Sequence, residues 1–176
     1  VIKKNLSIFK KNFIKNILCG PGPFFQCCLF KKGFLIDSLN CFDKNSEPSE
    51  DWCFFIGIAR RSMNIEHINI YSFEWNLNEK SQSNNYKKEL LALKYITKKY
   101  YGTMFKNSKK NLSLQFRKIG SMFYYLKEYE SSTYYFKKAF KTNRLSLKNL
   151  ILMLTQIMPP KLYFMLMNLY VKKIVS

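Results

Sequence analysis

Apolar residues recur at helical spacing near the start of the chain. Leu6, Phe9, Phe13 and Ile17 predict an amphipathic helix over Asn5 to Ile17. Gly20-Pro21-Gly22-Pro23 breaks it, and the apolar run Phe24-Phe25-Gln26-Cys27-Cys28-Leu29-Phe30 then predicts a buried strand. A short helix is expected over Gly33 to Leu39, followed by turn-forming residues from Asp43 to Ser49. Ser49 is a candidate N-cap for the next helix, with Glu50 and Asp51 in a first turn where the helix dipole favours negative charge. That helix runs through Trp52, Phe55, Ile56 and Ala59 to Arg60-Arg61. The alternation Glu66-His67-Ile68-Asn69-Ile70-Tyr71 predicts a strand over Ile65 to Phe73, with His67 at its surface.

Beyond the polar stretch Lys80-Ser81-Gln82-Ser83-Asn84-Asn85, which reads as a linker, every pattern is helical. Tyr86 to Tyr101 is the first helix. In the next, Leu112, Phe116, Ile119, Phe123 and Leu126 form one amphipathic stripe. A third, from about Ser131 to Lys141, contributes Tyr135, Phe136, Ala139 and Phe140. The last two resemble a single tetratricopeptide repeat over about 113–146. Phe116, Ile119, Gly120, Phe123, Tyr129, Phe136 and Ala139 stand at its small and aromatic positions, while Ser132 and Arg144 depart from its usual Ala and Pro. One repeat cannot bury its own face, so neighbouring helices are expected against it. A Met- and Leu-rich hairpin around Pro159-Pro160 ends the chain.

Composition narrows the classes. With 176 residues, 47% hydrophobic and 17% aromatic, the chain has material for a core, unlike a disordered segment. The apolar stretches Leu150 to Met158 and Leu162 to Val171 fall short of the ~20 residues a membrane span needs. Val1 to Lys15 has no apolar h-region of a secretory signal, and the missing initiator Met points to a piece of a longer protein. Residues 1–85 hold 11 Lys/Arg and 8 Asp/Glu, whereas residues 86–176 hold 19 and 3, which suggests two regions with different tasks. No nucleic-acid-binding signature accompanies the net charge of +19, and a codon-biased Asn/Lys/Ile/Phe composition accounts for it; no nucleic-acid partner is expected.

Candidate chemistry is sparse. Five cysteines without regular spacing argue against a disulfide scaffold, and one histidine with no Cys-x-x-Cys argues against zinc. No Gly-x-Ser-x-Gly elbow and no phosphate-cradling loop occur. The informative segment is Phe42-Asp43, then Glu50-Asp51-Trp52-Cys53-Phe54-Phe55-Ile56-Gly57-Ile58-Ala59. With the upstream Gly-Pro turn, the expected strand and Leu29-Phe30-Lys31-Lys32, it resembles the acceptor half of family 2 glycosyltransferases. Tyr71 and Ser81-Gln82-Ser83-Asn84 follow in the family's order, and the resemblance covers most of residues 5–100. The helical tail, with its Leu-Met-Leu and Pro-Pro-Lys-Leu-Tyr ending, is similar to tails that follow this domain.

The resemblance implies an inverting transfer of a sugar from a nucleotide-sugar donor to a glycan or lipid-linked acceptor. Such a reaction needs a base for the proton of the acceptor hydroxyl. By resemblance that base is Asp51; Glu50 would position the acceptor or raise the proton affinity of the base through like charge, and Trp52 would form an apolar wall. Left to composition alone, Ser49-Glu50-Asp51 reads as a capped helix start with Trp52 and Phe55 in the core. Cys53 and Gly57 stand where the family often has Asp and Arg, and Ser72, Phe73, Glu74 and Trp75 stand where many members carry a metal-binding His. Glu74 is a candidate ligand for Mg²⁺ or Mn²⁺, a metal expected only in the complete enzyme and not on this chain alone. No β-α-β nucleotide region and no Asp-x-Asp precede Val1, so the chain alone is expected to be inactive.

The expected fold class is α+β, mostly α. Residues 1–85 would be the acceptor-side part of a glycosyltransferase domain, with short strands and helices, and 86–176 a basic all-α helical-hairpin extension. The alternative is a helical protein-interaction module. Lysines flanking the apolar tail suggest an anionic membrane surface at the cytoplasmic face as a partner, the chain being cytoplasmic and peripheral.

Overall fold

The computed structural model describes residues 13–20, 22–23, 25–36, 42–59, 64–66, 68, 85–102, 108–155 and 165. Of these, 74% are helical and none lies in a strand. In chain order the helices are α1 (Phe13–Ile17), α2 (Lys32–Ile36), α3 (Glu50–Ile58), α4 (Tyr86–Tyr100), α5 (Lys109–Tyr125), α6 (Tyr129–Thr142) and α7 (Leu147–Thr155). Short 3-10 turns occupy Phe25–Cys27 and Lys44–Ser46. The chain divides into two compact units, Val1–Asn111 and Leu112–Ser176.

The first unit is built around α3. Trp52, Cys53, Phe54, Phe55, Ile56 and Ile58 are all buried, so this helix is apolar on nearly every side and sits centrally. The strand expected over Phe24 to Phe30 is corrected: Phe25–Cys27 is a 3-10 turn and residues 28–31 are irregular. No strand exists among the described residues to pair its backbone, and an unpaired buried strand leaves N–H and C=O groups without partners. Aromatic packing holds Phe25 and Phe30 instead. Phe25 meets Phe30, Phe42 and Phe54 at centroid distances of 5.3, 5.3 and 5.4 Å, and Phe42 stacks on Phe54 at 4.4 Å. Gly22 enters this plug at φ +86, where a Cβ would stand 2.3 Å from Ile17 Cδ1, so both the left-handed backbone and the space require glycine.

Residues 65, 66 and 68, from the second expected strand, carry no regular structure, and the rest of Ile65 to Phe73 lies outside the described residues. So do His67, Glu74, Arg60-Arg61, Pro159-Pro160, residues 80–84 of the expected linker, and Leu6 and Phe9 of the first helix. The charge step at residue 85 does not coincide with the border between the two compact units. Asn85 is the N-cap of α4, its side chain accepting from Lys88 N, and α4 belongs to the first unit. Leu90, Leu93, Ile96 and Tyr100 form the buried stripe of that helix.

The second unit holds most of α5, with α6 and α7. Leu112, Phe116, Ile119 and Phe123 of α5 and Phe136 and Ala139 of α6 are buried. Between them Lys127, at φ 64, ends α5: Lys127 N–H donates to Tyr124 O and Glu128 N–H to Phe123 O. That pairing satisfies the last carbonyls of the helix and turns the chain into α6. A buried polar clip ties α7 to the pair. Asn149 Nδ2 lies 2.6 Å from Ser113 Oγ, 3.2 Å from Ala139 O and 3.0 Å from Asn143 O, and Ser113 Oγ donates to Ala139 O. Among the described residues no helix is long and apolar enough to cross a membrane.

Candidate functional site

Glu50 and Asp51 are the first two residues of α3, where the positive end of the helix dipole favours carboxylates. Both are half-buried. Asp51 Oδ1 accepts from the backbone N–H of Trp52 at 2.6 Å. Glu50 Oε2 is buried and meets no hydrogen-bond donor among the described residues. A carboxylate oxygen held away from water without a donor is costly, by an amount on the order of 1–3 kcal/mol or more. Glu50 Oε2 is thus left short of one hydrogen-bond donor.

Trp52 sits elsewhere than on an open wall. It is only 2% exposed, and its Nε1 donates to Ile17 O at 2.7 Å. The ring packs in the core, and its bond to Ile17 ties the start of α3 to the end of α1. Phe55, also 2% exposed, is a core residue too.

Ser49 occupies the N-cap but does not cap. Its Oγ lies 3.1 Å from both Oε1 and Oε2 of Glu89 on α4, so its one hydroxyl proton goes to a carboxylate forty residues away. At the other end of the segment, Asp43 Oδ2 accepts from Tyr95 Oη at 2.5 Å and from Lys99 Nζ at 2.8 Å. Asp43 Oδ1 accepts from Asn45 N and Nδ2, each at 3.0 Å. Hydrogen bonds from Lys99 and Tyr95 hold the Asp43 carboxyl far below the usual carboxylate range. The same bond to Asp43, aided by burial, raises the Tyr95 phenol. Burial pulls Lys99 down, but its bond to Asp43 and the nearby Cys53 and Asp43 raise it overall. Cys53 is fully buried, with Sγ 3.8 Å from Lys99 Nζ.

Glu89, Tyr95 and Lys99 were not singled out by the sequence. Tyr95 and Lys99 share a helix face at i, i+4 spacing, but nothing local indicates that Asp43 is their partner. Among the described residues no group of three or more His, Cys, Asp and Glu side chains is placed to hold a metal ion, so no chemistry of Mg²⁺ or Mn²⁺ is assigned to them. No protein-family model, no curated protein and no solved structure matches the chain.

Proposed function

We propose that the chain forms the acceptor side of an inverting, nucleotide-sugar-dependent glycosyltransferase, with Asp51 as general base. The observation that carries this reading is Glu50 Oε2, buried without a donor beside Asp51 at the start of α3. The acceptor hydroxyl is held beside Glu50, where Asp51 takes its proton. As the hydroxyl oxygen bonds to the anomeric carbon, the bond to the nucleoside diphosphate breaks and the configuration inverts. Glu50 orients the acceptor, and Trp52 supports the pair from below. The acceptor is a glycan or a lipid-linked sugar; the donor is bound by groups other than those described.

The test uses the complete product of the gene that encodes this chain, assayed for sugar transfer from nucleotide sugars. Asp51→Asn should lower turnover by ~10²-fold or more, the usual worth of a general base. Wild-type turnover in that variant would remove Asp51 from the mechanism.

A second reading, a helical docking module, is favoured by the exposed apolar side chains Leu145, Leu147 and Ile151 at and before α7. Set in a region with 19 Lys/Arg against 3 Asp/Glu, they suit an anionic membrane surface. Sedimentation with anionic and neutral vesicles at low and high salt tests it; absence of binding to anionic vesicles at low salt would discard the membrane.

A further inference from the structure

Segment 43–50 leaves α4 and returns to it through an unbroken chain of hydrogen bonds. Tyr95 and Lys99 hold the Asp43 carboxylate. The Asp43 carbonyl accepts from Ser46 N at 2.9 Å and from Ser46 Oγ at 2.5 Å, and Ser46 is fully buried. The Ser46 carbonyl accepts from Ser49 N at 2.7 Å, and Ser49 Oγ donates to Glu89. Ser49 is the residue directly before Glu50, and its carbonyl accepts the first α3 bond, from Cys53 N at 3.0 Å.

An N-cap serine normally spends its hydroxyl on the N–H groups of its own helix, a contribution of about 1 kcal/mol. Ser49 forgoes that, and the Trp52 N–H is taken by Asp51 instead. The hydroxyl thus contributes to where the helix start sits rather than to ending the helix. From this, and resting on the transferase reading above, we infer that α4 is the positioning element of the acid pair. Glu89 fixes the entry to Glu50-Asp51, while Tyr95 and Lys99 anchor the far end of the same segment through Asp43. None of these side chains is assigned contact with sugar. They act through the placement of Glu50 and Asp51, where a displacement of about 1 Å costs up to a hundredfold in rate.

The experiment takes the complete gene product and measures kcat and KM for donor and acceptor separately, with thermal unfolding recorded for every variant. Ser49→Ala and Glu89→Ala should each lower kcat by roughly tenfold at unchanged donor KM. The double variant should be no slower than either single one, since both remove one contact. Ser49→Thr, which keeps the hydroxyl, should run at the wild-type rate. Tyr95→Phe, at the other anchor, should lower kcat in the same way, and serves where Glu89→Ala does not fold. Ser49→Ala and Tyr95→Phe at wild-type kcat, with Asp51→Asn inactive, would overturn the positioning role and leave the transferase reading standing. A wild-type protein that transfers no sugar would overturn both.

Discussion

Gly120 of α5 lies so close to the ring of Phe136 on α6 that a Cβ at that position would stand 2.9 Å from both Cδ1 and Cε1. Phe136 is fully buried, so the ring has nowhere to retreat. Glycine is here a packing residue, letting two helices approach where any side chain would separate them. Alanine is favoured over glycine inside a helix by about 1 kcal/mol, but overpacking a filled core costs about 1–3 kcal/mol. Gly120→Ala is therefore expected to destabilise, by a net ~1 kcal/mol, and Gly120→Val by more. A lowered urea midpoint at unchanged slope checks this; a raised midpoint would show that Phe136 yields.

Asn149 closes the second unit. Its amide nitrogen faces Ser113 Oγ, Ala139 O and Asn143 O, which fixes the orientation of the amide, while Oδ1 is buried without a donor. Asn149→Ala strips a donor from this group and should cost about 1–3 kcal/mol. Asn149→Asp puts a second oxygen against two carbonyls and should be worse at pH 7 than at pH 4, where protonation restores one donor. Equal stability of the aspartate variant at both pH values would contradict this account of the clip.

The helical periodicities were legible because α4, α5 and α6 each bury one stripe, and a period near 3.6 survives in the sequence. The run from Phe24 to Phe30 was not, since a short continuous apolar stretch has no period to read. Its part Phe25–Cys27 is a 3-10 turn, packed by the rings of Phe42 and Phe54, distant in sequence. The helix start at Glu50 was legible from Ser49 and two acids; that the Ser49 hydroxyl leaves its own helix for Glu89 was not. Nor could the sequence orient Trp52, because one aromatic at a helix start fits a core or a wall equally well. The charge step and the border of the compact units differ for a related reason. Lysines report which face meets water, whereas Leu90, Leu93 and Ile96 decide which unit the helix joins.

Cys28 is half-buried, and burial, with Cys27 beside it, pushes its thiol up to about 11. The thiolate is the nucleophile, so iodoacetamide should modify Cys28 slowly at pH 8 and about tenfold faster per pH unit up to pH ~10. An ordinary thiol, with its pKa near 8.5, would level off above about pH 9. Tandem mass spectrometry of the peptide that holds both Cys27 and Cys28 separates the two sites. A plateau for Cys28 near pH 9 would refute the shift.

Asp43 gives the sharpest pH signature. Bonds from Lys99 and Tyr95 hold its carboxyl far below the usual range, so its charged form is favoured in the folded chain. A group with a depressed folded value contributes stability that is complete above its unfolded value, ~3.9, and is lost as pH falls through the folded one. Tyr95 and Lys99 are both raised, so their share is complete below their unfolded values, ~10 and ~10.4, and is lost as pH rises through the folded ones. Asp43→Asn removes the charge and keeps the shape. The stability gap between wild type and this variant should be constant from about pH 5 to 8 and should shrink steadily below about pH 4. Urea unfolding of both proteins from pH 2.5 to 8 measures it. A gap that holds constant or widens in acid would mean that Asp43 is not the ionised anchor of Tyr95 and Lys99.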